Sequence, residues 1–260
     1  MPDLAWIALA SSVLMAALWQ VQRMRQDASL VDAGWAAAIG GAAIALALLG
    51  DGNQLRRLVA GTLGTCWSLR LTTHLLRDRV IGKPEDGRYA MLRASWGAHA
   101  QRNFFLFFQL QAGFAVAFAC PFLAIAADPR HFGGATDLAG LALWLAALAL
   151  VSSADRQLAR WRADPANQGR TCRGGLWRYS RHPNYFGEWL LWCSYILIAW
   201  GGPQWWLALA TALLLLVLLL GVTGIPYTEK RALASRGDDY RSYQRATSPF
   251  IPWFPTKERP

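Results

Sequence analysis

Residues that build metal and redox centres are scarce in this sequence. Its four cysteines, Cys66, Cys120, Cys172 and Cys193, form no CxxC pair, and three lie in apolar runs, where a thiol acts as a small packing residue. The four histidines are scattered and make no HExxH pattern, so no metal site is expected. Neither GxGxxG nor GxxxxGK[ST] occurs. A Rossmann or P-loop cradle is therefore unsupported, and any nucleotide must be held by helices and loops. Charge is sparse too, at 16% of residues against 54% hydrophobic. The amino terminus lacks a basic region and a clear small-residue cleavage site, so a cleaved signal peptide is not expected.

What the chain has is long apolar runs. Seven are read as spans: Leu4 to Val21, Leu30 to Leu49, Leu55 to Leu76, Phe104 to Ala126, Leu138 to Ser153, Tyr185 to Ala199 and Trp205 to Thr223. A bilayer core needs roughly 20 apolar residues per helix, and the fifth and sixth runs are short by that measure. The reading is an all-α integral membrane protein with seven transmembrane helices. Residues 1–126 carry the four amino-terminal spans and residues 138–260 the remaining three. Basic residues set the orientation. With the loop after span one taken as cytoplasmic, the cytoplasmic segments hold two, six, seven and seven lysines and arginines, 22 of the 26 in the chain. The other side holds Arg56, Arg57 and Arg130. The amino terminus is then outside and the carboxyl terminus cytoplasmic. The same asymmetry accounts for most of the net charge of +10, so no nucleic-acid partner is implied.

Polar residues inside the spans single themselves out, because an intramembrane charge needs a partner. Asp32 sits one turn inside span two with Trp35 on its face. Arg70 and His74 lie four apart in span three. Glu188 lies one turn inside span six. The assumed orientation puts Asp32, Arg70 and Glu188 in one half of the membrane, which suggests a shared polar cavity. Helix-dipole stabilisation of Asp32 and snorkelling of Arg70 are the plain alternatives. Between spans three and four, Gly82, Pro84 and Gly87 forbid one long helix, and Tyr89 to Arg93 reads as a short interfacial one. Asp155, Leu158 and Arg162 share a helix face. The stretch from Arg156 to Arg173 is the densest basic segment; positive-inside bias or a bound polyanion would each explain it. In the tail, Glu229 to Ser235 reads as an amphipathic helix, and Phe250 to Pro255 as a segment at the membrane surface.

The most informative stretch is Gly174 to Glu188, GGLWRYSRHPNYFGE. Pro183 suits the first turn of a helix, and Asn184, Tyr185 and Glu188 then share a face. This stretch resembles the signature of the steroid 5-alpha-reductase superfamily, as does the tail with Tyr240, Tyr243 and Phe250-Ile251-Pro252. Val31-Asp32-Ala33-Gly34-Trp35 and Glu85-Asp86-Gly87-Arg88-Tyr89 are similar to the bacterial, reductase-like branch. The resemblance implies a bacterial inner-membrane protein with seven helices and NADPH in a cytoplasm-facing cavity. It also implies hydride transfer to an activated carbon–carbon double bond. Asp155, Arg162, Arg170, Asn184 and Glu188 match cofactor-contacting positions, as do Arg70 and His74. Leu158, Tyr179, Arg181, His182, Tyr185, Glu229 and Tyr243 lie in the same segments and complete the cofactor set. The family's ketone-binding Tyr falls at Trp67 here, and its Gln-Glu pair has no counterpart.

Hydride addition to an enone leaves charge on the carbonyl oxygen, which then needs a donor. A carboxyl group buried in an apolar site can stay protonated and supply it, so Asp32 is the expected acid, with Trp35 and Trp67 beside it. The substrate expected is a hydrophobic lipid or steroid-like molecule arriving through the bilayer. Two rivals stay open. One is an S-adenosylmethionine-dependent methyltransferase of the isoprenylcysteine carboxyl methyltransferase type, which shares an RHPxYxGE-like motif. The other is a non-enzymatic lipid-binding protein.

Overall fold

The computed structural model describes residues 2–256, and all regular structure among them is helical. Ten α-helices follow in order: α1 (Pro2–Arg25), α2 (Leu30–Leu49), α3 (Gln54–Leu75), α4 (Gly87–Trp96), α5 (Ala100–Ala126), α6 (Ala135–Ala163), α7 (Pro183–Ala199), α8 (Trp206–Val217), α9 (Ile225–Arg236) and α10 (Asp238–Ala246). Local chemistry explains several boundaries. Asn53 caps α3 by accepting from the Leu55 and Arg56 amides, and Asp86 caps α4 through the Arg88 amide; such caps satisfy otherwise orphaned donors. Pro183 stands at the first position of α7, where its missing N–H is harmless.

Five segments are long and apolar enough to cross a membrane: Leu4–Arg25, Leu30–Leu49, Gly87–Ala126, Ala135–Ala163 and Trp206–Arg236. The other two expected spans also form helices but fall outside this set. α3 carries Arg56, Arg57, Arg70 and His74, and α7 has 17 residues, fewer than the roughly 20 a bilayer core requires. Leu48, Leu58, Leu106, Leu145 and Val217 are all exposed. A series of bare large aliphatic side chains on several helices suits contact with lipid and not water.

The chain divides into two compact units, residues 1–132 with 201–207 and residues 133–200 with 208–260. In the first, α2 lies along α3, and α5 packs against both α1 and α2. Gly64 makes the α2–α3 approach possible: a Cβ there would sit 2.4 Å from the Ala43 methyl. Met15, Val31, Tyr89, Phe104 and Phe108 form one buried cluster. Elsewhere in this unit Arg56 and Asp128 are both buried and paired at 3.6 Å, and Arg130 also grips Asp128.

In the second unit α6 lies along α7. Trp144 donates to the Tyr195 hydroxyl at 3.0 Å across this seam. Beyond α8, the segment expected as an amphipathic helix lies within α9 but is not sharply two-faced; the amphipathic helix is the next one, α10, with Tyr240 and Tyr243 buried and Asp238 and Arg241 exposed. The strap after α10 is tied back to the segment before α7. The Arg181 amide donates to Ser248, the Trp253 amide to Tyr179, and the Ser180 hydroxyl to Phe250.

Candidate functional site

Each unit holds a concentration of polar residues that the sequence singled out in part. In the first unit it forms around Asp32. Its Oδ2 accepts from Arg88 at 2.6 Å and Arg79 at 3.3 Å, and its Oδ1 accepts from the Tyr89 hydroxyl at 2.6 Å. Asp86 accepts from the Arg88 side chain and amide, while its own amide donates to the Ser29 hydroxyl at 2.8 Å. Burial pushes the Asp86 carboxyl up, but the hydrogen bonds and charge of Arg88, with Arg79 behind, outweigh this and hold it below its usual value. One residue earlier, Glu85 accepts from the Ala28 amide and from Arg93 at 2.7 Å. The stretch from Glu85 to Tyr89 thus clamps the start of α2.

Asp32 accepts from each of these three donors. The hydroxyl of the cluster belongs to Tyr89, which is buried beneath Arg88. Trp35, one helical turn on, stands edge-on to Trp67 at 6.0 Å and to Phe118 at 5.3 Å. Trp67 is fully buried. The Trp35 Nε1 donor is buried with no hydrogen-bond partner among the described residues, an arrangement that is costly without a ligand or water.

In the second unit a cavity of about 710 Å³ opens between the end of α6, the loop that follows, and helices α9 and α10. Its volume falls within the roughly 300–1,000 Å³ of ligand sites. Leu158, Arg162, Arg170, Arg181, His182 and Tyr243 line it, as the sequence suggested. Arg236, Trp161, Thr171 and Tyr240 line it as well. The side chains of Arg162 and Arg170 make no hydrogen bond or ion pair with other described residues, and the Arg170 backbone amide donates to Asn167. Arg236 lies over the Tyr240 ring at 4.9 Å and faces the like charge of Arg162. The Thr171 hydroxyl and Trp161 Nε1 are buried and have no hydrogen-bond partner among the described residues. Clustered cations with such donors among them have the chemistry that suits an anion.

One wall of this cavity is braced from behind. Glu229 accepts from Arg181 at 2.6 Å and from Gln244 at 2.8 Å, and lies 3.3 Å from His182 Nε2. Burial lowers the His182 pKa, and the pull of Glu229 in the other direction is weaker. Tyr185 stacks on His182 at 5.3 Å and meets Thr228 through its hydroxyl at 3.1 Å. Tyr243 donates to the carbonyls of Trp177 and Ser180. Asn184 donates to Asp155 at 3.1 Å, and Glu188 accepts from Trp192 at 3.4 Å. Tyr179 stands apart from the cavity lining, exposed and edge-on to Phe254. Arg70 and His74 lie on α3 in the first unit and line neither this cavity nor the smaller apolar one between α1 and α2. Asp32 and Glu188 likewise belong to different units.

Sequence reasoning missed Arg79, Arg88 and Tyr89 as partners of Asp32. The signal was there: an intramembrane carboxylate demands cations, and the next basic run in the chain supplies them. Arg236, Thr171 and Trp161 carried no such signal.

A family model described as protein of unknown function (DUF1295) matches residues 18–247. The 3-oxo-5-alpha-steroid 4-dehydrogenase 1 of Bos taurus is 36% identical over 84 residues, 32% of this chain and 30% of that protein. The Homo sapiens protein of the same name is 36% identical over 73 residues, 28% of this chain and 26% of its own length. The chain therefore spans less than a third of the length of these dehydrogenases. An uncharacterized protein of Schizosaccharomyces pombe is similar over more of its length, 27% identical across 94% of this chain and 78% of its own. No solved structure matches.

Proposed function

We propose a function on one premise: this chain belongs to the DUF1295 family, within the steroid 5-alpha-reductase superfamily. The reading is an NADPH-dependent membrane reductase acting on the activated carbon–carbon double bond of a hydrophobic substrate. The observation that carries it is the second-unit cavity, where four arginines outnumber one carboxylate, Asp164, where Arg162 and Arg170 make no ion pair with a described residue, and where Thr171 and Trp161 offer donors that no described residue uses. Three phosphates of a dinucleotide suit four arginines better than the sulfonium of S-adenosylmethionine does.

Arg162, Arg170 and Arg236 hold phosphate oxygens in this reading, and Arg181 is kept in place by Glu229. Tyr185 and Tyr243 fix His182 and the wall around it. Asp155, Asn184 and Glu188 offer acceptors for ribose hydroxyls or an amide, since carboxylates repel phosphate. Leu158 supplies apolar wall. Arg70 and His74 stay in the set on the resemblance alone, and Tyr179 we leave outside it. Bound here, NADPH would supply the hydride that adds to the β-carbon of an enone.

The proton has to come from the chain. Within the first unit, the Asp32 cluster supports a proton-handling role: Asp32 holds the Tyr89 hydroxyl at 2.6 Å, a donor for an oxygen where charge develops. Trp35 Nε1 is a second donor for that oxygen, and Trp67 fixes the Trp35 ring. The apolar core around them suits a hydrophobic substrate that partitions into the membrane.

NADPH and S-adenosylmethionine binding to the detergent-purified protein, titrated side by side, tests the cofactor. NADPH should bind and also slow alkylation of Cys172, a cavity-lining thiol that burial pushes above its usual pKa. Binding of S-adenosylmethionine alone would replace the reductase reading with the methyltransferase one. The finer topology is part of the proposal: seven spans, amino terminus outside, carboxyl terminus cytoplasmic, in a bacterial inner membrane. A reporter fused after Arg130 should lie outside; a cytoplasmic signal there would remove the seven-span arrangement.

A further inference from the structure

We propose that the carboxyl-terminal strap, residues 247–255, presents an aromatic ridge that docks into the head-group layer of the bilayer. The ridge consists of Ile251, Trp253 and Phe254, exposed by 59%, 70% and 77%. Tyr179 stands edge-on to Phe254 at 6.1 Å. Contiguous large apolar side chains this bare in water mark a contact surface.

The strap is held rigidly with these side chains outward. The Trp253 amide donates to Tyr179 at 2.9 Å, the Arg181 amide to Ser248 at 2.8 Å and the Thr256 amide to Ala246 at 2.9 Å. The Ser180 hydroxyl donates to Phe250 at 2.8 Å. These bonds tie the backbone down along its length, so the ridge cannot fold inward to hide itself. They also leave few donors for an added strand, and recognition falls to the side chains.

Continuity with the membrane helices identifies the occupant. Phe250, from the same strap, packs on Phe186 at 5.5 Å and Trp189 at 5.9 Å, in the first two turns of α7. α7 lies along α6, which is long and apolar enough to cross a membrane. The ridge therefore extends the helix pair at its polar end. Exposed Arg178 precedes Tyr179, and the carbonyl of exposed Arg245 accepts from Thr256. Aromatic rings flanked by arginines are the composition of a membrane–water boundary with anionic lipid. The same short segment carries Tyr179 under the ridge and Arg181 and His182 in the cavity wall, so docking fixes that wall at the membrane surface. This inference stands on the strap and α7 and is independent of which cofactor binds.

A nitroxide at W253C, in protein whose four native cysteines are serine, tests it in vesicles of phosphatidylcholine and phosphatidylglycerol. Collisions with oxygen report lipid, and collisions with a water-soluble nickel chelate report water. Asp238, whose side chain is 94% exposed, gives the aqueous control as D238C. The oxygen-to-nickel ratio at 253 should exceed the control by about fivefold or more, as for a group some 5–10 Å into the boundary layer. Equal ratios overturn the proposal. Shielding from both agents also overturns it, because a protein surface or a second copy then covers the ridge. Should the cysteine-free protein fail to fold, native protein and W253F are compared with lipids brominated near the head group. W253F should lose a quenched component of the tryptophan emission, and identical quenching overturns the proposal.

Discussion

The two units handle their charges in opposite ways. In the first, the three acids of the Asp32 cluster are matched: Asp32 and Asp86 by Arg79 and Arg88, Glu85 by Arg93. In the second, four arginines and one carboxylate, Asp164, line one cavity; among the described residues neither Arg162 nor Arg170 makes an ion pair, while Glu229 braces Arg181 from behind. A matched cluster is complete without a ligand, so it orients groups and holds protons. An unmatched one is left short of negative charge, which an anion completes. The difference separates a candidate proton-handling centre from a candidate cofactor receptor within one chain.

The largest expected effect comes from removing the unmatched charges. Each charge-assisted contact contributes roughly 1.5–3 kcal/mol, so Arg162→Ala with Arg170→Ala should weaken NADPH binding by about a hundredfold or more. Titration of the double variant measures it, with helix content as the folding control. Wild-type affinity in that variant would reduce these arginines to topology signals and erase the contrast between the units.

A substitution in the matched cluster should act on turnover instead. Tyr89→Phe removes the hydroxyl that Asp32 holds, and Asp32→Asn removes the charge and one of the two acceptor oxygens, leaving two arginines facing a neutral amide. Each should cut turnover at least about tenfold with NADPH affinity nearly unchanged. Full activity of Tyr89→Phe alongside an inactive Asp32→Asn would return the acid role to Asp32 alone. Loss of cofactor affinity in either would blur the division of labour.

The smallest effect expected is on pH stability and belongs to His182. Burial lowers its folded-state pKa below the roughly 6.5 of an unfolded chain. The folded state therefore prefers the neutral ring. Stability from this group is complete above about pH 6.5 and declines as pH falls through the folded value, because the unfolded chain then binds more protons. Melting in detergent from pH 8 down to 5 should show the decline, and His182→Gln should flatten it. An unchanged acid limb in that variant would assign the decline to other groups.

Much of this was legible in the sequence because it is local. Apolar runs gave the long helices, Pro183 the start of α7, and the Gly174 to Glu188 stretch the cavity residues Arg181 and His182. Six of the expected cofactor residues line the cavity for that reason. What escaped depends on pairs far apart in the chain. Arg79 and Arg88 reach Asp32 across 47 and 56 residues, and no periodicity encodes such a pairing. Arg236 joins Arg162 only because α9 folds back beside the loop. Charge type was readable; charge pairing was not. Asp32, read as a buried acid needing a partner, turned out to have three donors around it.

The Asp32 clamp also has a history, written in the order of synthesis. Asp32 leaves the ribosome 47 residues ahead of Arg79, an interval of about 2–10 s at roughly 5–20 residues per second. For that time α2 exists as an apolar segment with an unanswered carboxylate at its first turn. Its partners arrive only after α3 has been made, and Glu85 and Asp86 then close onto Ala28 and Ser29. The polar knot therefore closes in a later step than the apolar seam between α2 and α3, and it closes before α5, which packs on α1 and α2, has been made.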